Sequence, residues 1–177
     1  MTQSPLSADT IAILRDDPAL FVETVLQATP QRWQKKALDA IAAHDKVAIK
    51  SGHGVGKTAF ESWVVLWWLL TRYPTKTAVT ANSAHQLSDV LWTEIDRWAR
   101  NMPQPFKDLL EFKADKIALK GASDSFAVAR TSRRENPEAL AGFHSPNMLF
   151  IVEEASGVPN VIFETASGAL STPARKS

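Results

Sequence analysis

One stretch restricts this chain more than any other: HDKVAIKSGHGVGKTAFESWVVLWWLL, residues 44–70. A short apolar run stops at a loop with three glycines, and Lys-Thr then opens an apolar helix. A backbone that approaches an anion with its own amides needs residues without Cβ at the closest points, and Gly52, Gly54 and Gly56 supply them. Val47 to Lys50 reads as a short buried strand and Thr58 onward as a helix, so the loop stands where a strand hands over to a helix N-terminus. Loop amides and a helix dipole equivalent to ~+0.5 charge then favour an anionic ligand at that point.

This is the setting of a phosphate-binding P-loop, G-x-x-x-x-G-K-[ST], with Ser51 in place of the first glycine. That position lies at the strand end, where a small residue with extended dihedrals serves. The backbone of Ser51, Gly52, His53, Gly54, Val55 and Gly56 is expected to cradle the phosphates of a nucleoside triphosphate. The His53 ring is expected to face solvent. Lys57 would reach the β- and γ-phosphates, and the Thr58 hydroxyl would bind Mg²⁺. The bland alternative is a glycine-rich turn followed by an accidental Lys-Thr.

The chain has 177 residues, 45% hydrophobic, enough for one domain with a real core. It contains no cysteine, which excludes a disulfide framework and a thiolate zinc site. Its four histidines lack metal-ligand spacing, and a formal charge of +1 excludes a strongly basic nucleic-acid coat while leaving room for a local basic face. The start MTQSPLSADTIAIL lacks the pattern of a signal peptide, and Val64 to Leu70 is too short to span a bilayer. The expectation is a soluble protein of the cytoplasm with no membrane partner.

Residues 1–28 are expected to form a helical segment, with two short helices broken at Asp17-Pro18, and residues 29–177 the nucleotide-binding unit of a single domain. Thr29-Pro30 opens a helix through about His44. Lys76 to Thr80 reads as a strand, and Ser83 caps a long amphipathic helix to about Asn101. Weaker strands fall near 112–119 and 124–130, and Pro137 opens a short helix. Asn147 to Val152 is the clearest buried strand. Strands separated by helical segments predict an α/β fold with a mostly parallel sheet flanked by helices.

That last strand runs into LFIVEEASGVP, which puts two carboxylates where open parallel sheets bind ligands. Glu153 is expected to hold Mg²⁺ and Glu154 to polarise the water that attacks the γ-phosphate. A solvated acidic turn is the bland alternative. Upstream, TPQRWQKKALDAI offers Gln34 as reader of an adenine edge with Trp33 beside it, and Gln31 as the alternative reader. Trp33, Leu38 and Ile41 also make an ordinary apolar helix face.

Taken in order, RWQ, SGHGVGKT, AVTANSAHQLSDVLWTEI and RRENPEALAGFHSPNMLFIVEEASGVP resemble the ATPase part of the large subunit of a tailed-phage terminase. The resemblance covers roughly residues 25–170, and PEALAGFH before the acidic strand is its most specific part. It implies a P-loop NTPase of the RecA-like and helicase-like class with an additional strand, and with a catalytic glutamate directly after the metal-binding acid. It implies ATP and Mg²⁺ as cofactors, and ATP-driven packaging of double-stranded DNA into proheads in the bacterial host cytoplasm. The implied partners are a small terminase subunit, a portal protein and further copies in a homo-oligomeric ring. Such proteins carry Asp-Glu where this chain has Glu153-Glu154. They also continue into a coupling strand and a nuclease domain, so the expectation is a C-terminally incomplete ATPase, poorly active alone. Two other readings stand beside it, a non-catalytic P-loop interaction module from a decayed prophage and a DNA or RNA helicase-like ATPase domain. Arg130 and Arg133, with Arg134 beside them, are candidates for the arginine that stabilises transition-state charge, or for phosphate contacts to DNA. Trp63, Trp67 and Trp68 are expected in the core, and Lys35 and Lys36 on the surface.

Overall fold

The computed structural model describes residues 7–50, 54, 56–81, 83–131 and 143–153. Its centre is set by two buried elements. Helix α4, Lys57–Thr71, is apolar nearly all round and is buried from Phe60 through Trp67 and again at Leu69 to Thr71. Strand β1, Thr75–Ala81, is buried at every position but Lys76. A helix without a polar face must be covered on all sides. Here β1, α1 (Ala8–Asp16), α2 (Pro18–Thr24) and α5 (Thr93–Arg100) cover it.

The N-terminal break falls as expected. Ser7 caps α1 by accepting from the Thr10 amide at 3.2 Å. Asp17 ends that helix and caps α2, its carboxylate accepting from the Leu20 amide at 3.0 Å, with Pro18 in the first turn. Buried Trp67 ties α4 to α1 by donating to the Leu14 carbonyl at 2.9 Å. Trp63 is buried and Trp68 half-buried against the same core, while Lys35 and Lys36 are exposed. Helix α3, Arg32–Ala43, begins two residues after the expected Thr29-Pro30 start. Gln31 is its N-cap, because the Gln34 side chain turns back to accept from the Gln31 amide at 2.8 Å.

The sheet has five strands in the order β2-β3-β4-β1-β5, with β2 at Leu110–Phe112, β3 at Lys116–Leu119, β4 at Phe126–Ala129 and β5 at Asn147–Glu153. It is mixed, which corrects the expectation of a mostly parallel sheet. Strands β4, β1 and β5 run parallel, whereas β2-β3 and β3-β4 are antiparallel. The links between those antiparallel strands are too short for a crossover, which needs about a dozen residues or more. The expected single strand at 112–119 is therefore the end of one strand, a turn and another strand. Asn147 pins β5 to the start of β1, its side-chain Nδ2 donating to the Pro74 carbonyl at 2.9 Å.

Two further expectations are corrected. Val47 to Lys50 belongs to no strand; Val47, Ala48 and Lys50 are exposed, and only Ile49 packs on the core. Three apolar residues between lysines do not hold an extended segment without a ladder partner. Strand β5 is half-buried apart from Glu153, because among the described residues it pairs on one edge only. The helix from Ser83 to Asn101 forms, with Ser83 accepting from the Gln86 amide at 3.1 Å, but residues Gln86–Trp92 widen into a π-helical stretch before α5. This stretch, α4 and α5 cover one sheet face. On the other face Ala78, Val128 and Phe143 form a small second cluster with Phe126, Met148, Phe150 and Val152.

Candidate functional site

Register decides what meets at the carboxyl edge of the parallel strands. Ala81 pairs with Glu153, and Val79 pairs with Ala129, so β1, β4 and β5 end at one edge. The N-terminus of α4 arrives there too. Lys57 Nζ lies 3.2 Å from Glu153 Oε1, with the Glu153 side chain 6% exposed and that of Lys57 28%. The glycine-lysine turn and the acidic strand end, far apart in sequence, are thus in direct contact.

Gly56 caps α4 in a left-handed conformation, φ +84°, which disfavours any residue with a Cβ. Its surroundings exclude one as well, since a Cβ there would stand 2.9 Å from Gln34 Nε2. The Gly56 carbonyl accepts two hydrogen bonds, from the Phe60 amide at 3.1 Å and from Gln34 Nε2 at 3.0 Å. Gly54 also has positive φ, +74°, and is exposed. Thr58 is half-buried at the second position of α4, with its carbonyl accepting from Ser62 Oγ at 2.8 Å. Ser51, Gly52, His53, Val55, Glu154 and Arg133 lie outside the described residues, as do Arg134 and the start of the expected helix at Pro137.

Gln34 is 3% exposed, and both ends of its amide bond to the protein. Trp33 is half-buried, with its indole donating to Gln31 Oε1 at 3.0 Å and its ring tilted against Phe60 at 5.6 Å between centroids. Arg130 directly follows β4 at the same edge, its amide donating to the Val79 carbonyl at 2.9 Å. Its guanidinium lies 3.7 Å from Asp115, across the β3-β4 hairpin. It is not among the groups that contact Glu153.

Glu61 is the residue that sequence reasoning missed. It stands one turn after Lys57 on α4, is 8% exposed, and its carboxyl lies close enough to that of Glu153 for the two to influence each other's protonation. Glu61 Oε2 and Glu153 Oε2 are both buried without a partner so long as both groups are treated as ionised acceptors. One proton between them resolves the conflict. Burial first, then the hydrogen bond to Glu153 and its charge, push the Glu61 carboxyl up to about 9, against the opposing pull of Lys57. The signal was present in the sequence, since a lone glutamate four residues after that lysine interrupts an otherwise apolar helix.

No helix among the described residues is long and apolar enough to cross a membrane. No protein-family model matches the chain. It is 26% identical over 172 residues to a protein of Enterobacteria phage P7 named "Probable terminase, large subunit", an alignment covering 94% of this chain and 35% of that protein. The chain therefore spans about a third of the length of this relative. Along nearly all of its length the chain is thus similar to a protein named as a terminase large subunit, in line with the resemblance carried by the motifs.

Proposed function

We propose that this chain is the nucleotide-binding and ATP-hydrolysing part of a terminase-type motor that packages double-stranded DNA. The observation that carries the reading is the 3.2 Å pair between Lys57 at the start of α4 and Glu153 at the end of β5. A lysine beside a buried acid at a helix N-terminus, on the carboxyl edge of parallel strands, is where a triphosphate binds in an α/β sheet. The donors also fit Mg²⁺, a hard cation that prefers oxygen ligands, because Thr58 and Glu153 bring a hydroxyl and a carboxylate to the start of α4 and the end of β5. Bound there, Mg²⁺ would neutralise charge on the phosphate oxygens.

The chain's own residues divide the work. The turn through Gly54 and Gly56 presents backbone amides to phosphate. Lys57 exchanges its contact with Glu153 for the β- and γ-phosphates. Thr58 and Glu153 would hold the metal, and Glu154, next in sequence, would orient the attacking water. Arg130 and Arg133 serve charge stabilisation at the same edge or in a neighbouring subunit. In the whole motor the proposed partners are DNA, a small terminase subunit, a portal protein and other copies of the chain, in the host cytoplasm.

ATP turnover and Mg·ATP binding of the purified chain, with and without DNA, test this reading. Glu154→Gln removes only water activation, so binding persists and the wild-type turnover is lost. Glu153→Gln instead weakens the Mg²⁺ dependence of binding. A measurable turnover that is equal in wild type and Glu154→Gln, or the absence of Mg·ATP binding by the wild type, contradicts the reading.

A further inference from the structure

We propose that Gln34 serves the triphosphate rather than the base: it positions the phosphate-binding turn through Gly56 and does not discriminate between nucleobases. This rests on the function proposed above, and it replaces the adenine-reading role that an amide beside a tryptophan suggests. Gln34 lies at the third position of α3, where its Oε1 accepts from the Gln31 amide at 2.8 Å. Its Nε2 reaches across to the Gly56 carbonyl at 3.0 Å. With 3% of its surface exposed, the side chain is enclosed by protein.

What the cross-link fixes is a peptide plane. In a trans peptide the carbonyl of Gly56 and the amide of Lys57 point in opposite directions. Two donors hold that carbonyl, Phe60 N at 3.1 Å from within the helix and Gln34 Nε2 at 3.0 Å from outside it. The Lys57 amide, one of the donors left without an intrahelical partner at a helix start, is thereby aimed out of the N-terminus where phosphate would sit. The match is close on both sides. Gly56 has φ +84°, and the space its missing Cβ would need lies 2.9 Å from the Gln34 amide nitrogen. Beside Gln34, Trp33 gives its N–H to Gln31 and packs on Phe60.

Calorimetric titrations with Mg·ATP, Mg·GTP and inorganic tripolyphosphate separate the two roles, since tripolyphosphate carries no base. Gln34→Leu removes the donor to Gly56 together with the oxygen that caps α3, and adds no charge near the phosphates. Gln34→Met, similar in length, removes both bonds and serves as a second variant. The expected result is an equal loss for all three ligands, about tenfold for one lost hydrogen bond, with an unchanged ATP to GTP ratio. A loss confined to ATP, or no loss for any ligand, overturns the proposal. If the wild-type chain binds none of the three, the proposed function fails instead, and this inference falls with it.

Discussion

Lys57, Glu61 and Glu153 form a buried group with two acids and one base, and its chemistry follows from that imbalance. Lys57 compensates one carboxylate, and the other is more stable with a proton. The folded chain holds the Glu61 proton up to about pH 9, whereas an unfolded chain releases it near the ordinary value of 4.5. Between those limits the folded state binds more protons than the unfolded one, so stability must fall as pH rises. This contribution is present in full below 4.5 and is lost as pH rises through about 9, with a slope of ~1.4 kcal/mol per pH unit. Glu61→Gln removes that slope, and urea midpoints measured from pH 5 to pH 9 check it. A variant as steep as wild type contradicts the shared proton. Gly56→Ala follows from the same corner, because it meets both an unfavourable φ and the Gln34 amide. It should lower stability by about 1–2 kcal/mol, read from denaturant unfolding, and weaken Mg·ATP binding as well.

At the scale of elements, legibility depended on whether a signal was local. Asp17-Pro18 carries its own instruction, since proline fixes a dihedral and aspartate caps the next turn, and the helix break falls there. The α4 core was equally readable from its apolar run. Buried Trp67 spends its indole N–H on Leu14, so Trp67→Phe loses volume and leaves a buried carbonyl unpaired. That variant should cost about 1–3 kcal/mol in thermal or denaturant unfolding, while a neutral result would remove the α1-α4 tie. Strands were harder because a strand is defined by its partner. Val47 to Lys50 has strand composition and no ladder among the described residues. The turn at Lys113-Ala114-Asp115 contains neither glycine nor proline, so a hairpin reads as one strand. The π-helical stretch at Gln86–Trp92 left no mark that residue spacing can show.

For the whole molecule, the topology is what makes a site from distant segments. Parallel pairing of β1 with β4 and β5 brings three strand ends to one edge, and α4 delivers Lys57 to the buried acid there. The pairing of these two motifs was legible because the glycine-lysine turn and the acidic strand each carry their own pattern. The burial of Glu61 beside Glu153 and the hydrogen bond from Gln34 to Gly56 were not, since both depend on which side chain fills which space. The central claim is that the Lys57-Glu153 corner receives a magnesium-bound triphosphate. Calorimetry of Mg·ATP binding to the wild-type chain and to Lys57→Ala, with circular dichroism to show that both are folded, tests it most directly. The account predicts binding by the wild type and a loss of at least about a hundredfold in the variant, the cost of about 3 kcal/mol for a charged contact to phosphate. Equal affinity in two folded proteins would contradict it.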